Sequence, residues 1–242
     1  MSTMTPLDGQ IAVVTGASRG IGAAIARKLA SLGALTILTA RDERQLERVA
    51  RQITTAGGEA ECRVCDLSVP EQIASFAQGV LKEHSRCDIL VNNAGIGWFQ
   101  GPLHTMPLAE WDSTIAINLR APYLLLQAFA PAMIAARRGH IVNISSLAGR
   151  NPVPNAAAYA ASKWGLNGMM ISAAEELRQH QVRVSLIEPG SVRTEFGSGL
   201  SSEKSALGAV APEDIADIVA LLVTQADWAF ISEVLVRPTL KK

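Results

Sequence analysis

Cysteine is scarce: three in 242 residues, an odd number that does not suit a disulfide-stapled secreted scaffold. A reducing, cytoplasmic setting is expected instead. Net charge is missing too, because 22 Lys+Arg balance 22 Asp+Glu. A general nucleic-acid binder needs surplus cations to displace counterions from phosphates, so that class is set aside. No apolar run reads as a membrane span. The greasiest stretch, Ala121–Ala136, is interrupted by Pro122, Gln127 and Pro131 and falls short of the roughly 20 apolar residues a span requires. The N-terminus, MSTMTPLDGQ, has neither a basic start nor an apolar stretch, so no secretion leader is expected. Internal repeats, low-complexity tracts and long charge blocks are absent. Ser146 lies in Ile-Ser-Ser-Leu and not in a G-x-S-x-G nucleophile elbow, which argues against a serine hydrolase built on it.

What is present is core material. Hydrophobic residues make up 48% and charged residues 18%, which excludes disorder as the main state. The length allows one large domain or two small ones. Strands are expected at Ile11–Thr15, Leu35–Thr39, Ala60–Cys65, Ile89–Asn92, Ile141–Ser145, Arg183–Ile187 and Glu233–Val236. Most are continuous apolar runs, as in a parallel sheet covered on both faces. Between them, Ile21, Ile25, Leu29 and Leu32 repeat with helical spacing, as do Leu46, Val49 and Ile53, and Ile73, Phe76 and Val80. This alternation predicts an α/β fold with a doubly wound, Rossmann-type parallel sheet. Residues 190–211, rich in Ser and Gly, follow a strand and are expected to form a substrate lid over the C-terminal sheet edge. Glu195, Phe196 and Leu200 would help to shape its pocket.

The first strand runs into Thr15-Gly16-Ala17-Ser18-Arg19-Gly20-Ile21-Gly22, followed by a helix. Gly16 can supply a positive φ, Gly20 a close backbone approach to a pyrophosphate, and Gly22 close packing of helix on sheet. The helix N-terminus then faces the phosphates. At the end of the second strand, Arg41 precedes Asp42. Arg41 and Arg19 suit a ribose 2′-phosphate, which favours NADP(H), while Asp42 keeps NAD(H) open. Tyr159 and Lys163 lie four apart on a segment, Asn155–Gly168, that reads as helix, so they share one face. An ammonium beside a phenol should lower the phenol's pKa and fit it for proton transfer at a carbonyl or alcohol oxygen.

Thr15–Gly22, Asp66-Leu67, Asn92-Asn93-Ala94-Gly95, Asn118, Ser145-Ser146, Tyr159-Ala-Ala-Ser-Lys163 and Pro189-Gly190 occur in an order that resembles the short-chain dehydrogenase/reductase family. The likeness runs from about Leu7 to Val236, with a general similarity to 3-oxoacyl-thioester reductases. One departure is the Val234-Leu-Val-Arg-Pro-Thr239 ending, where many relatives carry a glycine pair. The resemblance implies one domain over residues 1–242 with a seven-stranded parallel sheet, a homotetramer or dimer, and hydride transfer between a nicotinamide and a carbonyl/alcohol substrate. It implies that Tyr159 is the general acid in reduction, that Lys163 lowers its pKa and holds the nicotinamide ribose, and that Ser146 orients the substrate oxygen while Ser145 faces away. Asn118 would kink its helix and hold a water linking Lys163 to solvent. Gly16, Ser18, Arg19, Gly20, Ile21 and Gly22 would bind the cofactor together with Arg41. Asp66 and Leu67 would meet the adenine, Asn93, Ala94 and Gly95 would line the pocket, and Pro189, Gly190, Val192 and Thr194 would flank the carboxamide. No metal is implied. The reading is an NADPH-dependent carbonyl reductase. The alternative is a catalytically silent nucleotide-sensing regulator of the same fold.

Cys62-Arg-Val-Cys65 has C-x-x-C spacing, but it falls on an expected strand where positions three apart point to opposite faces. Structural cysteines are therefore expected there, not a redox pair or a zinc site.

Overall fold

The computed structural model describes residues 5–196 and 208–239. Strand β1 (Ile11–Thr15) is buried at every position because its two faces meet two different helical layers. Side chains alternate across a strand, so Val14 joins one core with Ile25, Leu29 and Val219, while Val13 joins the other with Phe76, Phe129 and Met170. The remaining strands are β2 (Leu35–Ala40), β3 (Glu59–Val64), β4 (Ile89–Asn92), β5 (Gly139–Ile144), β6 (Val182–Pro189) and β7 (Glu233–Val236). They pair in the order β3-β2-β1-β4-β5-β6-β7, all parallel. All seven expected strands form, with ends shifted by at most two residues.

One face is covered by α1 (Gly20–Ser31), α2 (Glu43–Thr55) and a last helix, α7 (Pro212–Val223). The other is covered by α3 (Pro70–His84), α5 (Ala121–Ala136) and α6 (Ala157–Arg178), with α4 (Leu108–Ile115) leading into α5. The strand order reverses between β1 and β4. In such sheets a crevice opens there, beyond the carboxyl ends of the strands, and ligands bind in it.

The apolar stretch at Ala121–Ala136 belongs to a helix longer than the stretch itself. It is the second half of a 29-residue helix, Leu108–Ala136, whose halves join through a π turn at Ala116–Arg120. Pro122 falls in the first turn of α5, just after the π segment, and Pro131 lies deeper inside α5. By length and composition alone this helix could cross a membrane, with a best-window mean hydropathy of 1.3. Its inner side is committed to the sheet, however, through the buried Ala121, Leu125, Phe129 and Met133. Part of the expected lid, residues 197–207 with Leu200, lies outside the described residues.

Candidate active site

The glycine turn fits a phosphate cradle on steric grounds. Gly16 has φ +63°, and a Cβ there would stand 2.9 Å from the Ala94 Cα. A Cβ on Gly22 would land 2.3 Å from the Gly16 carbonyl oxygen. Helix α1 starts at Gly20 with no side-chain cap and no acid in its first turn, so its free N–H groups and positive dipole end stay available to an anion. The turn is stapled to the end of β4. Asn93 Nδ2 donates to the Thr15 and Gly16 carbonyls at 2.8 and 3.3 Å, and the Asn93 and Ala94 backbone N–H groups donate to Thr15 Oγ1 at 2.9 and 3.1 Å. The Asn93 side chain thus holds the glycine turn. Thr15, which the motif reading passed over, is the centre of the staple.

Arg19 and Arg41 are both exposed on this rim, and Arg19 Nη1 lies 2.8 Å from Glu195 Oε2. Asp42 is spent elsewhere. Its carboxylate caps α2, accepting from the Gln45 backbone N–H at 3.1 Å and from Gln45 Nε2 at 2.7 Å. Asp66 Oδ1 accepts from the Ser68 N–H at 2.9 Å and from its hydroxyl at 2.8 Å. The backbone bond does most to hold this carboxyl below its usual range, with Arg41 adding to it. Leu67 beside it is buried.

Tyr159 and Lys163 stand one turn apart near the start of α6. The Lys163 Nζ donates to the Ile144 carbonyl at 2.9 Å and lies 5.7 Å from the Tyr159 ring centroid. A Cβ on Gly95 would come within 3.5 Å of Asn118 Oδ1 and 3.8 Å of Lys163 Nζ, so this glycine keeps open the space in front of both. Asn118 sits inside the π turn and clamps the loop after β4. Its Nδ2 donates to the Ile96 carbonyl at 2.8 Å, and its Oδ1 accepts from the Ile96 N–H at 2.9 Å. The second amide hydrogen goes to Ser162 Oγ at 3.0 Å, whose own hydroxyl donates to the Tyr159 carbonyl at 2.7 Å. Ser162 therefore couples the π turn to the turn of α6 that carries Tyr159. Its position three residues after Tyr159 was the one clue in the sequence.

Ser146 follows β5 and caps a short 3-10 turn, Leu147–Gly149, by accepting from the Ala148 N–H at 3.1 Å. Its neighbour Ser145 turns the other way and donates to Asn167 Oδ1 at 2.6 Å. The Tyr159 phenol is not lowered as the Tyr/Lys spacing suggests. Burial pushes it above its ordinary value, and a hydrogen bond to Ser146 pulls in the opposite sense but is outweighed. The same dry surroundings push the Lys163 ammonium down to about 8. The lysine charge points at a backbone carbonyl, and desolvation dominates for both groups.

At the end of β6, Pro189 pairs in register with Val236 of β7, and the Gly190 N–H donates to the Val236 carbonyl at 2.8 Å. Val192 forms a parallel bridge with Val210, which fastens the two ends of the expected lid segment together. Thr194 lies against Gly20, its Cγ2 3.3 Å from where a Cβ would be. Phe196 and Phe99 flank the catalytic candidate: their ring centroids lie 5.6 Å each from that of Tyr159 and 6.0 Å from one another. Phe196 is one of the residues expected to shape the pocket, and Phe99 supplies the other half of this aromatic cover. The C-x-x-C pair divides between the two cores, Cys62 in one and Cys65 in the other. Burial raises both thiols, Cys65 to about 11. Near β3, Glu61, Glu83 and His84 come close enough together to hold a metal ion, but the Arg63 guanidinium already pairs with both carboxylates.

A doubly wound sheet with a glycine cradle on β1 and a Tyr/Lys pair beside a serine at the switch point defines a dinucleotide-dependent oxidoreductase class. Comparison with known proteins agrees. A family model described as short chain dehydrogenase matches residues 10–205. The chain is 34% identical over 236 residues to an uncharacterized oxidoreductase of Staphylococcus epidermidis, spanning 97% of this chain and 100% of that one. It is 33% identical over 237 residues to a 3-oxoacyl-(acyl-carrier-protein) reductase of Synechocystis, spanning 95% of each. A solved metagenomic short-chain oxidoreductase in complex with NADP is 69% identical, with a TM-score of 0.88 over 98% of this chain and 100% of that one. The chain belongs to the short-chain dehydrogenase/reductase family.

Proposed function

We propose that this protein is an NADPH-dependent carbonyl reductase that protonates its substrate through Tyr159. The observation that carries the reading is the half-buried Tyr159 phenol, set beside Ser146 and one helical turn from Lys163 at the mouth of the crevice. The glycine turn, Asp66, Leu67, Gly95 and residues 189–194 would hold the dinucleotide, with Arg19 and Arg41 on its 2′-phosphate. The relative solved with NADP at 69% identity supports that coenzyme, and the commitment of Asp42 to helix capping removes the main argument for NAD(H). The chemistry supplied by the bound nicotinamide is a hydride.

The protein's own part is to move a proton in a dry site. Because Ser146 Oγ accepts from the Ala148 N–H, its hydroxyl proton is free to be donated toward a substrate oxygen. Burial keeps the phenol protonated at neutral pH, so Tyr159 is ready to give its proton as charge develops on that oxygen. Lys163, which stays charged below about pH 8, stabilises the phenolate left behind. Phe99 and Phe196 exclude water and favour a ketone or aldehyde, or the acyl end of a thioester, whose apolar part packs against them. The chain acts as a single domain. Tyr123, Trp164 and Ile171, exposed on α5 and α6, suit the contact face of a homo-oligomer, and the free thiols of Cys62, Cys65 and Cys87 suit a reducing cytoplasm.

Tyr159→Phe tests the reading. A carbonyl panel followed by NADPH and NADH absorbance should show a loss of roughly 10²- to 10⁴-fold in the variant, with NADPH binding retained. If the wild type reduces no carbonyl in a broad panel yet binds NADPH, the nucleotide-sensing regulator replaces the enzyme.

A further inference from the structure

Glu188 is a carboxylate with no exposed surface, placed on β6 immediately before Pro189 and Gly190. Burying such a group costs several kcal/mol unless it is paired and hydrogen-bonded. It is paired: Arg150 Nε donates to Glu188 Oε2 at 2.6 Å, and Asn167 Nδ2 donates to Oε1. Arg150 reaches further, its Nη2 meeting Glu233 on β7. Asn167 also reaches further, donating to the Gly149 carbonyl at 3.3 Å and accepting from the Ser145 hydroxyl at 2.6 Å.

All these contacts converge on one short segment. Ser145 to Arg150 carries Ser146 in its middle, and it is tied to α6 through Ser145 and Gly149 and to β6 through Arg150. A Cβ on Gly149 would meet Asn167 Nδ2 at 2.7 Å, so the segment lies as close to α6 as a chain can. Apart from its contact with the Tyr159 phenol, the Ser146 side chain is tied among the described residues only by its bond from Ala148, so its position is the position of the turn.

We propose that Arg150 and Glu188 are positioning residues for Ser146: the ion pair between the exposed Arg150 and the buried Glu188, completed by Asn167, fixes the turn that aims the Ser146 hydroxyl at Tyr159. The proposal rests on the reading of Ser146 as the hydroxyl that orients the substrate. An error of about 1 Å in such a group can cost roughly 100-fold in rate. Arg150→Met should therefore lower kcat on the best carbonyl of the panel by roughly 10- to 100-fold while the KM for NADPH stays within about twofold. Arg150→Lys, which keeps a cation for Glu188, should recover part of the loss.

The deciding measurement is a double-mutant cycle. In a Ser146→Ala background, Arg150→Met should have little further effect, because its route of action is already gone. An equal fold-loss in both backgrounds overturns the proposal. A second readout needs no turnover. The chain has two tyrosines, so Tyr123→Phe leaves Tyr159 as the single phenol to titrate by ultraviolet absorbance. Ser146→Ala should raise its midpoint, and Arg150→Met or the isosteric Glu188→Gln should raise it in the same direction. A midpoint that moves with Ser146→Ala but not with Arg150→Met or Glu188→Gln overturns the positioning role. A midpoint and a kcat that ignore Ser146→Ala overturn the reading of Ser146 itself, and the proposal with it.

Discussion

Acidification from near pH 7.5 to near pH 5 should cost this protein about 2 kcal/mol of stability through His140 alone. His140 lies on β5 with 1% of its surface exposed. Its Nε2 is 2.8 Å from Ser185 Oγ, and the Ser185 proton is already given to the Ile231 carbonyl at 2.6 Å. Nε2 must therefore carry the hydrogen, which leaves Nδ1 as a bare nitrogen with no partner among the described residues. Charging the ring would place an N–H at Nδ1 in a dry interior. Burial, with the Arg183 charge adding to it, pushes the pKa from 6.5 down to about 3. A base whose folded pKa lies below its unfolded value leaves stability intact above the unfolded value. Below 6.5 the unfolded chain takes up a proton that the folded chain refuses, so stability drains away until about pH 3. One and a half units of that window at about 1.4 kcal/mol each give the stated loss, a large share of a net stability of roughly 5–15 kcal/mol. Urea unfolding followed by circular dichroism at both pH values, on wild type and on His140→Gln, isolates the effect. Glutamine keeps a donor for Ser185 but does not titrate, so the variant should lose about 2 kcal/mol less across the interval whatever its stability at neutral pH. Parallel losses in the two proteins would refute the buried neutral histidine.

Lys163→Met should unfold at a higher temperature than wild type while losing reductase activity. At neutral pH the ammonium is buried at a cost of up to ~3 kcal/mol, only partly offset by its bond to Ile144, and the variant's advantage should shrink as pH rises from about 8 toward 10.5. Arg41→Ala should raise the KM for NADPH by roughly 10-fold or more with little change for NADH, in keeping with the loss of one charge-assisted contact to a phosphate; equal effects on both coenzymes would remove Arg41 from the 2′-phosphate site. Gly22→Ala should abolish coenzyme binding, read by quenching of tryptophan fluorescence, since its Cβ would overlap the Gly16 carbonyl and Asn93.

The strands were legible because a sheet covered on both faces writes itself as apolar runs such as Ile11–Thr15, and the Tyr159/Lys163 pair because helical spacing is a local rule. Asp42 carried a local signal of a different kind: Asp followed three residues later by Gln is a helix-capping pattern, and reading it so would have withdrawn the acid from the ribose at once. Arg150 and Glu188 left no such trace. They are 38 residues apart, and only the register of β5 on β6 and the packing of α6 bring them together. The single long helix was hidden for a related reason. A π turn around Asn118 lets the chain pass Pro122 without breaking, and nothing in residue composition marks a change from one hydrogen-bond spacing to another.

The direction of the Tyr159 shift was the hardest to read, because spacing reports which groups are neighbours but not how dry they are. Burial moves the phenol up and the ammonium down, so the two values draw apart, with the lysine below the phenol. Below both, at neutral pH, the phenol keeps its proton and the lysine keeps its charge. That is the resting state a proton donor needs. Taking a proton from an alcohol would require the phenolate, and the hydrogen bond from Ser146 is the side-chain contact that favours it, while burial outweighs it. A substitution that loosens the Ser146 turn should therefore impair alcohol oxidation more than carbonyl reduction, read as the ratio of the two rates.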